Sequence, residues 1–502
     1  MNIAMIAEIA ADAGGDRVVL GDPEHGVTYE QLYDRARRAA RLLRESSADT
    51  VAMIGVNSEL FPVALFGAAL ADRPFSPLNY RWSDADLAAA VRRLAPVVVL
   101  VDDEFLPRFE SLAGESGVQW VARSQFLAAV ADAEPIEGGA QEPANPAVLL
   151  FTSGTSGSPK VAVLGHDNLS SYILGSVELM AAEEGDAQLS SLPPYHVGGI
   201  ANLLSTLFSG RRIVQLPAFD ARTWIDTVRA LRVTHATVVP TMVARIVDLL
   251  AEDSGGLPSL RHLSYGGGRM PLPVLERAMV LLPETSFVNG YGLTETSSSI
   301  TVLGPDDHRL ALTSDDPAVR ARLGSVGRAL PTVELSVRDA DGEPVAPGET
   351  GELWVRGEQV SGRYVGTESD SAGGWFRTKD AARIDEEGYV FVEGRLDDVI
   401  VRGGENISPG EVEDALLEHP DVADAGVVGL PDDDWGERVV AAVVPVEGRT
   451  PDPGELQEWV RGKLRSSKTP SSIALVEGLP YNDNGKLVRR LLRARMVEAV
   501  GG

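Results

Sequence analysis

Apolar residues recur at helical and then at strand spacing along the first part of the chain. Leu32, Ala36, Ala39 and Leu43 fall on one helical face, and Thr28 with Gln31 three residues on gives that helix a capping box. The apolar run 51–56 reads as a strand, and 97–101 reads as a strand buried on both faces. Ser83 and Asp86 open another helix. The apolar stretch 61–71 falls well short of the roughly 20 residues a membrane span needs, so it reads as a core helix.

This alternation of helix and strand predicts a mostly parallel sheet with helices on both faces. The Gly-, Pro- and Glu-rich stretch 134–146 reads as a linker. The strand 147–151 then runs into a loop of Ser, Thr and Gly, and further strands are predicted at 234–239, 262–265 and 287–289. Over 333–355 the pattern changes to short strands with glycine turns such as Asp341-Gly342, which predicts a β-rich subdomain. After Arg395 a compact α+β unit closes the chain.

Length and charge narrow the picture. The chain has 502 residues, enough for about three domains or subdomains. A net charge of -28 argues against a general nucleic-acid binder and against docking on an anionic membrane, both of which need excess Lys and Arg. With 0 cysteines, disulfides, thiolate metal sites and a cysteine nucleophile are excluded. The first twelve residues carry Glu8 and Asp12 and lack a basic start, so they read as a helix rather than a secretory signal, and a cytoplasmic protein without a membrane span is expected. Lysine occurs only at Lys160, Lys379, Lys463, Lys468 and Lys486, which makes each lysine conspicuous.

The string Thr152-Ser153-Gly154-Thr155-Ser156-Gly157-Ser158-Pro159-Lys160 follows a strand. Its glycines let backbone amides turn inward around an anion, its hydroxyls add donors, and Lys160 adds positive charge. It does not match the Walker pattern, because Gly157 and Lys160 are not adjacent. The loop resembles the phosphate loop of the adenylate-forming superfamily of acyl-CoA synthetases, carrier-protein adenylation domains and beetle luciferases. Val161 stands where that family often has Gly, and Gly165 where it often has Thr or Ser.

Further segments resemble the family in order over nearly the whole chain. Pro194-Tyr195-His196-Val197-Gly198-Gly199 is similar to the segment beside the acyl pocket, which implies His196 at the carboxylate end. Gly266, Gly267 and Gly268 resemble backbone lying against adenine. Asn289-Gly290-Tyr291-Gly292-Leu293-Thr294-Glu295 resembles the Y-G-x-T-E motif. The resemblance implies Tyr291 stacked on the purine, Thr294 on the α-phosphate, and Glu295 as the Mg²⁺ carboxylate. Trp375-Phe376-Arg377-Thr378-Lys379-Asp380 resembles W-x-x-T-G-D, with Asp380 for the ribose hydroxyls and Lys379 replacing the usual Gly. Arg395 would also touch the ribose, and Asp397 would be the hinge. Gly403 and Gly404 would let a pantetheine arm pass close to backbone, while Ser408, Pro409 and Glu411 read as a capping box. Asn482-Asp483-Asn484-Gly485-Lys486 resembles the catalytic-lysine loop, with Tyr481-Asn482 where Arg-Thr is usual.

The resemblance implies an α/β fold. Its N-terminal adenylation domain (1–394) has mixed, mostly parallel sheets and a β-rich subdomain at about 325–394. A hinge (395–397) and a small mobile α+β domain (398–502) complete it. It further implies an ATP-dependent acid:CoA ligase using ATP, Mg²⁺ and coenzyme A, with Lys486 serving adenylation. Positions near His196, Gly199, Ile200, Met242, Gly267, Ser297, Ser298 and Val302 are small or apolar and favour an apolar acid, aliphatic or aromatic. Arg269 leaves a dicarboxylic acid open. The CoA phosphates have two basic clusters to meet, Lys463, Arg465 and Lys468 or Arg489, Arg490, Arg493 and Arg495, with solvated surface the equal alternative for both. Pro480 with Gly485-Lys486 fits a spacing associated with acetylation of the catalytic lysine, which would remove its charge. A free-standing carrier protein is the alternative acceptor, and a non-catalytic nucleotide-binding protein is the rival from another class. A monomer or a homodimer is expected.

Overall fold

A computed structural model describes the chain except residues 113, 153–158, 254, 367–370, 433, 483–484 and 501–502. The capping box is formed: Gln31 N donates to Thr28 Oγ1 at 3.2 Å, and Thr28 N donates to Gln31 Oε1 at 3.1 Å. It starts the helix Tyr29–Glu45. The apolar face of that helix crosses the helix Leu60–Leu70, which is buried on every side. A Cβ on Gly67 would sit 2.7 Å from that of Ala39, so glycine sets how closely the two helices approach. The apolar stretch is thus a core helix, and among the described residues no helix is long and apolar enough to cross a membrane.

A six-stranded sheet runs in the order Val118–Ala122, Val97–Val101, Thr50–Ile54, Phe75–Leu78, β1 (Val148–Thr152) and β2 (Lys160–Leu164). All neighbours are parallel except β1 and β2, which pair antiparallel with Thr152 opposite Lys160. A nine-stranded sheet has β3 (His235–Val238), β4 (His262–Gly266) and β5 (Ser286–Leu293) at its centre, all parallel. Strand β6 (Ser298–Leu303) returns antiparallel to β5. One face of this centre, carrying Ala236, Val238, Leu263, Tyr265 and Phe287, is sealed in a core with three helices, Ala221–Ala230, Pro240–Glu252 and Leu272–Leu281. The helix α1 (Val197–Ser209) approaches the other face, where Asn202 Nδ2 donates to Thr237 Oγ1 at 3.1 Å.

The change of pattern after residue 330 corresponds to an antiparallel five-stranded sheet that includes β7 (Trp375–Ile384) and β8 (Val390–Arg395), with Asp380 opposite Arg395. The C-terminal α+β unit has its own five-stranded sheet and the helix α2 (Pro409–Leu417). Pro409 stands at the first position of α2, as its fixed φ favours. The expected capping box there is absent. Ser408 Oγ instead donates to the Glu393 carbonyl at 2.7 Å, and Glu411 pairs with Lys468 Nζ at 2.6 Å. Both cap groups are drawn to partners outside the helix, one of them at the end of β8.

Candidate active site

Three segments converge at the carboxyl ends of the central strands. Glu295 sits in a one-turn helix after β5. Its backbone carbonyl accepts from Ser361 N at 2.8 Å, and its Oε1 accepts from the Tyr364 hydroxyl at 2.5 Å. The Tyr364 ring lies 5.0 Å below Lys160 Nζ. The turn is held against its own strain. Ser297 and Ser298 have φ of 59° and 125°, a region that L side chains rarely occupy. Buried Gln359 pins it by donating to the carbonyls of Thr296 and Ser299 at 3.0 and 2.8 Å. Gly292 is required here, because a Cβ would overlap the Ser298 carbonyl.

Asp380 is 6 % exposed, and both its oxygens are engaged. Oδ2 accepts from the Tyr291 hydroxyl at 2.5 Å, and Oδ1 faces Arg395 Nε at 3.1 Å. Arg395 also donates to the Thr378 carbonyl at 2.6 Å. Burial raises Asp380 above the ordinary carboxylate range, opposed by Arg395, Tyr291 and Lys486. Burial and the Asp380 charge push the Tyr291 phenol well up, so it stays a donor.

Lys486 reaches this cluster from the C-terminal unit. Lys486 remains exposed to solvent, yet desolvation by the protein atoms around it lowers its ammonium below the ordinary lysine value, Arg395 adds to that, and Asp380 and Glu295 oppose it. Its loop docks on the large unit at Gly485, whose φ is 69°; a Cβ there would overlap Thr241. On the other side Tyr481 donates to the Asp424 carboxylate at 3.0 Å, which ties the loop to the sheet of the C-terminal unit and accounts for tyrosine at that position. Among the described residues no three His, Cys, Asp or Glu side chains group as a metal site. A single carboxylate, Glu295, suits Mg²⁺, which keeps its waters and arrives with phosphates.

The remaining candidates divide. Thr294 adjoins Glu295, Gly266 and Gly290 pair in adjacent strands, and a Cβ on Gly266 would overlap the Gly290 carbonyl. Gly267 has φ of 78°. Asn289 turns to the opposite face and donates to the Ser325 carbonyl at 3.3 Å, so it braces the sheet. His196 occupies the position before the first turn of α1 without capping it through its side chain, and Gly199 is pressed on the Pro193 carbonyl, where a side chain would overlap. Ile200 faces the core beside Leu203 and Leu204 rather than a pocket, whereas Met242 and Val302 stay half-buried. Ser297 Oγ is buried with no partner among the described residues. Thr152 and Lys160 flank the phosphate loop; Ser153, Gly154, Thr155, Ser156 and Gly157 lie outside the described residues.

Asp397 sits in a short turn after β8. Gly403 and Gly404 form a turn with φ of 58° and 82°, and Trp435, half exposed, lies on Gly403 with its ring 2.7 Å from where a Cβ would be. Lys463 and Lys468 pair with Glu418 and Glu411. Arg269 crosses to the C-terminal unit and pairs with Asp414, so its guanidinium is committed. Sequence reasoning missed Tyr364, Trp435 and Thr241. Each acts through contacts between segments distant in the chain, and the isolated pairing of Tyr364 with Ala162 of β2 has no local signal.

The chain is similar over most of its length to known proteins. Residues 7–365 match the family model described as AMP-binding enzyme, and residues 411–486 match that of the AMP-binding enzyme C-terminal domain. The indoleacetate–CoA ligase of Aromatoleum aromaticum is 33% identical over 484 residues, 93% of this chain and 92% of that protein. The fatty acid–[acyl-carrier-protein] ligase ScoC of Streptomyces coeruleorubidus is 32% identical over 487 residues, 93% of this chain and 91% of that protein. The o-succinylbenzoate CoA synthetase MenE of Bacillus subtilis, solved with its acyl-adenylate intermediate, superposes with a TM-score of 0.84 at 29% identity, covering 98% of each chain.

Proposed function

This chain belongs to the AMP-binding enzyme family, and from that premise we propose which of its residues carry each half of its reaction. It is an ATP-dependent acid:CoA ligase that uses ATP, Mg²⁺ and coenzyme A. In the first half a carboxylate oxygen of the acid bonds to the α-phosphorus of ATP, and the bond to pyrophosphate breaks. In the second the thiol sulfur of CoA bonds to the acyl carbon, the bond to AMP breaks, and the thiol proton is lost to solvent.

The observation that carries the assignment of residues is that Lys486, still exposed to solvent, stands close enough to Asp380, Arg395 and Glu295 to act electrostatically with all three. Both reactants of the first half are anions, so the site must align them and offset their repulsion. Lys486 is the charge suited to bridge the carboxylate and an α-phosphate oxygen. Thr294 adds a donor near that phosphate, and Lys160 with the loop 152–157 serves the departing pyrophosphate. Mg²⁺ bound with the triphosphate supplies further neutralisation, and Glu295 is the carboxylate that would hold it. Asp380 and Arg395 serve the ribose, while Tyr291, Gly266, Gly267, Gly290 and Gly292 serve the base. His196 stands at the carboxylate end of the acid site.

We assign residues 1–394 to the adenylation domain, 395–397 to the hinge and 398–502 to a mobile domain. Rotation about Asp397 would withdraw Lys486 and bring Gly403, Gly404 and the exposed Trp435 ring toward the adenylate for the pantetheine arm. The cytoplasm, where ATP and CoA are available, is the expected compartment. AMP release across a panel of acids, with and without CoA, tests the reading: turnover with CoA supports it. Pyrophosphate exchange without CoA turnover points instead to a carrier-protein acceptor, a second reading that the likeness to ScoC favours.

A further inference from the structure

The central strands of the large sheet have one face that is not sealed. Thr237, Ser264 and Val288 occupy the middle of this face in β3, β4 and β5, and each is only half-buried. Central parallel strands ordinarily bury both faces. Space therefore runs over this face, from the glycines Gly266 and Gly290 at the nucleotide end to the starts of the strands. From Gly266 to His262 is four residues, or about 13 Å at ~3.3 Å per residue.

The walls of this groove are polar. The side of α1 turned to the sheet carries Asn202, which bonds Thr237 and whose buried Oδ1 has no partner among the described residues. Thr206 Oγ1, one turn on, is likewise buried without a partner there. A buried amide or hydroxyl left unpaired is costly, so these groups favour a ligand that offers hydrogen bonds over a plain hydrocarbon. That differs from the apolar lining expected from the sequence.

The far end holds one cation, Arg211, beside two imidazoles kept neutral there: burial and the Arg211 charge lower both histidines, His235 to about 3. The rings of His235 and His262 stack with centroids 4.5 Å apart and planes 15° apart. Arg211, just beyond the end of α1, lies close enough to act electrostatically on both. Its Nη1 donates to Ser209 Oγ at 3.0 Å, its Nε is buried without a partner, and no carboxylate stands within ion-pair distance among the described residues. A guanidinium with no anion beside it lacks its counter-charge, and the two neutral imidazoles next to it can donate ring N–H groups to the anion that would supply it.

We propose that this groove is the acyl channel and that its far end selects acids bearing a second oxyanion, held by Arg211, His235 and His262. The proposal rests on the ligase reading above and adds the class of acid. The reacting carboxylate lies at His196 and Lys486, the body of the acid passes Thr237 and Ser264, and the distal oxyanion neutralises Arg211.

The test is ATP–pyrophosphate exchange with α,ω-dicarboxylic acids and same-length monocarboxylic acids over a graded series, together with aryl acids with and without a distal carboxyl group. The wild type is expected to show an optimum length at which the bifunctional acid exceeds its plain analogue in kcat/KM by at least tenfold. Arg211→Met should cut that ratio at least fivefold, with partial return in Arg211→Lys. Ser264→Phe should move the optimum to shorter acids. ATP binding by calorimetry verifies that each variant is folded. Plain acids used as well as bifunctional ones at every length, or a ratio unchanged in Arg211→Met, would overturn the proposal. Absence of exchange with every acid by a protein that still binds ATP would instead refute the ligase reading on which it rests.

Discussion

The Tyr364 hydroxyl donates to Glu295 Oε1 at 2.5 Å, while the ring of the same tyrosine carries Lys160 5.0 Å from its centroid. One side chain thus positions both the expected Mg²⁺ carboxylate and the lysine that ends the phosphate loop. Its bond to Oε1 leaves Oε2 of Glu295 for a cation. Tyr364→Phe keeps the ring and deletes the bond. A hydrogen bond to a charged group is worth about 1.5–3 kcal/mol, so the Mg²⁺ concentration for half-maximal pyrophosphate exchange should rise about tenfold. Titration of exchange against Mg²⁺ at fixed ATP measures this. An unchanged midpoint would make Tyr364 a packing residue only.

Lys486 stands beside Asp380, Arg395 and Glu295 in the conformation described while remaining exposed to solvent, an arrangement suited to the proposed first half-reaction. Lys486→Ala should slow exchange by about 10²–10³-fold, the range seen when one charge-stabilising donor is removed from an active site. Thioester formation from preformed acyl-adenylate should change little. If both halves slow alike in rapid-quench experiments, the lysine is not confined to adenylation. Quantitative acetylation of Lys486 should reproduce the same split, because it removes the same charge.

Lys379 stands in β7 with φ of 62°, where the related motif has glycine. It is exposed, and its side chain forms no ion pair among the described residues. A non-glycine residue in this region costs about 1 kcal/mol or more. Lys379→Gly should therefore stabilise the β-rich subdomain by about 1 kcal/mol, read from urea unfolding followed by Trp354 and Trp375 fluorescence. Destabilisation would mean that the lysine makes a contact worth more than its backbone strain.

The sequence was most legible where chemistry is local. The capping box of Thr28 and Gln31 and the alternation in β3, β4 and β5 depend on near neighbours, and both appear as read. The glycine at 292 is explained by a close approach of backbone only a few residues away. What escaped depends on distant segments meeting. Ser408 abandons its cap for Glu393, Ile200 joins the core, Asn289 turns to Ser325, and Tyr364 reaches Glu295 across 69 positions. Lining residues were judged by type alone, so the half-buried stripe through Thr237 and Ser264 and the stacked histidines at its end could not be read before β3 and β4 were placed side by side.

Arg269 follows β4, and its guanidinium pairs with the Asp414 carboxylate in α2, so it joins the two units in the pose that sets Lys486 beside Asp380 and Glu295. A Cβ on Gly410 would overlap the same guanidinium, which makes glycine there a requirement of this pose. Burial raises Asp414 to about 6, against the pull of Arg269. Two consequences of opposite sign follow. A folded-state value above the unfolded one means that the folded chain binds the proton more tightly, so this group alone makes the fold gain stability as pH falls from about 6 toward 4. Over the same window the pair loses its charge, so the docking of the C-terminal unit weakens. Pyrophosphate exchange should therefore fall as pH drops through about 6, while thioester formation from preformed adenylate does not fall with it. Asp414→Asn should lower exchange about three- to tenfold at pH 7.5 and remove that limb of the profile, because a neutral amide cannot gain or lose the charge. A limb near pH 6 that persists in Asp414→Asn would assign it to another group, and equal loss in both half-reactions would show that the pair supports folding rather than the adenylating pose.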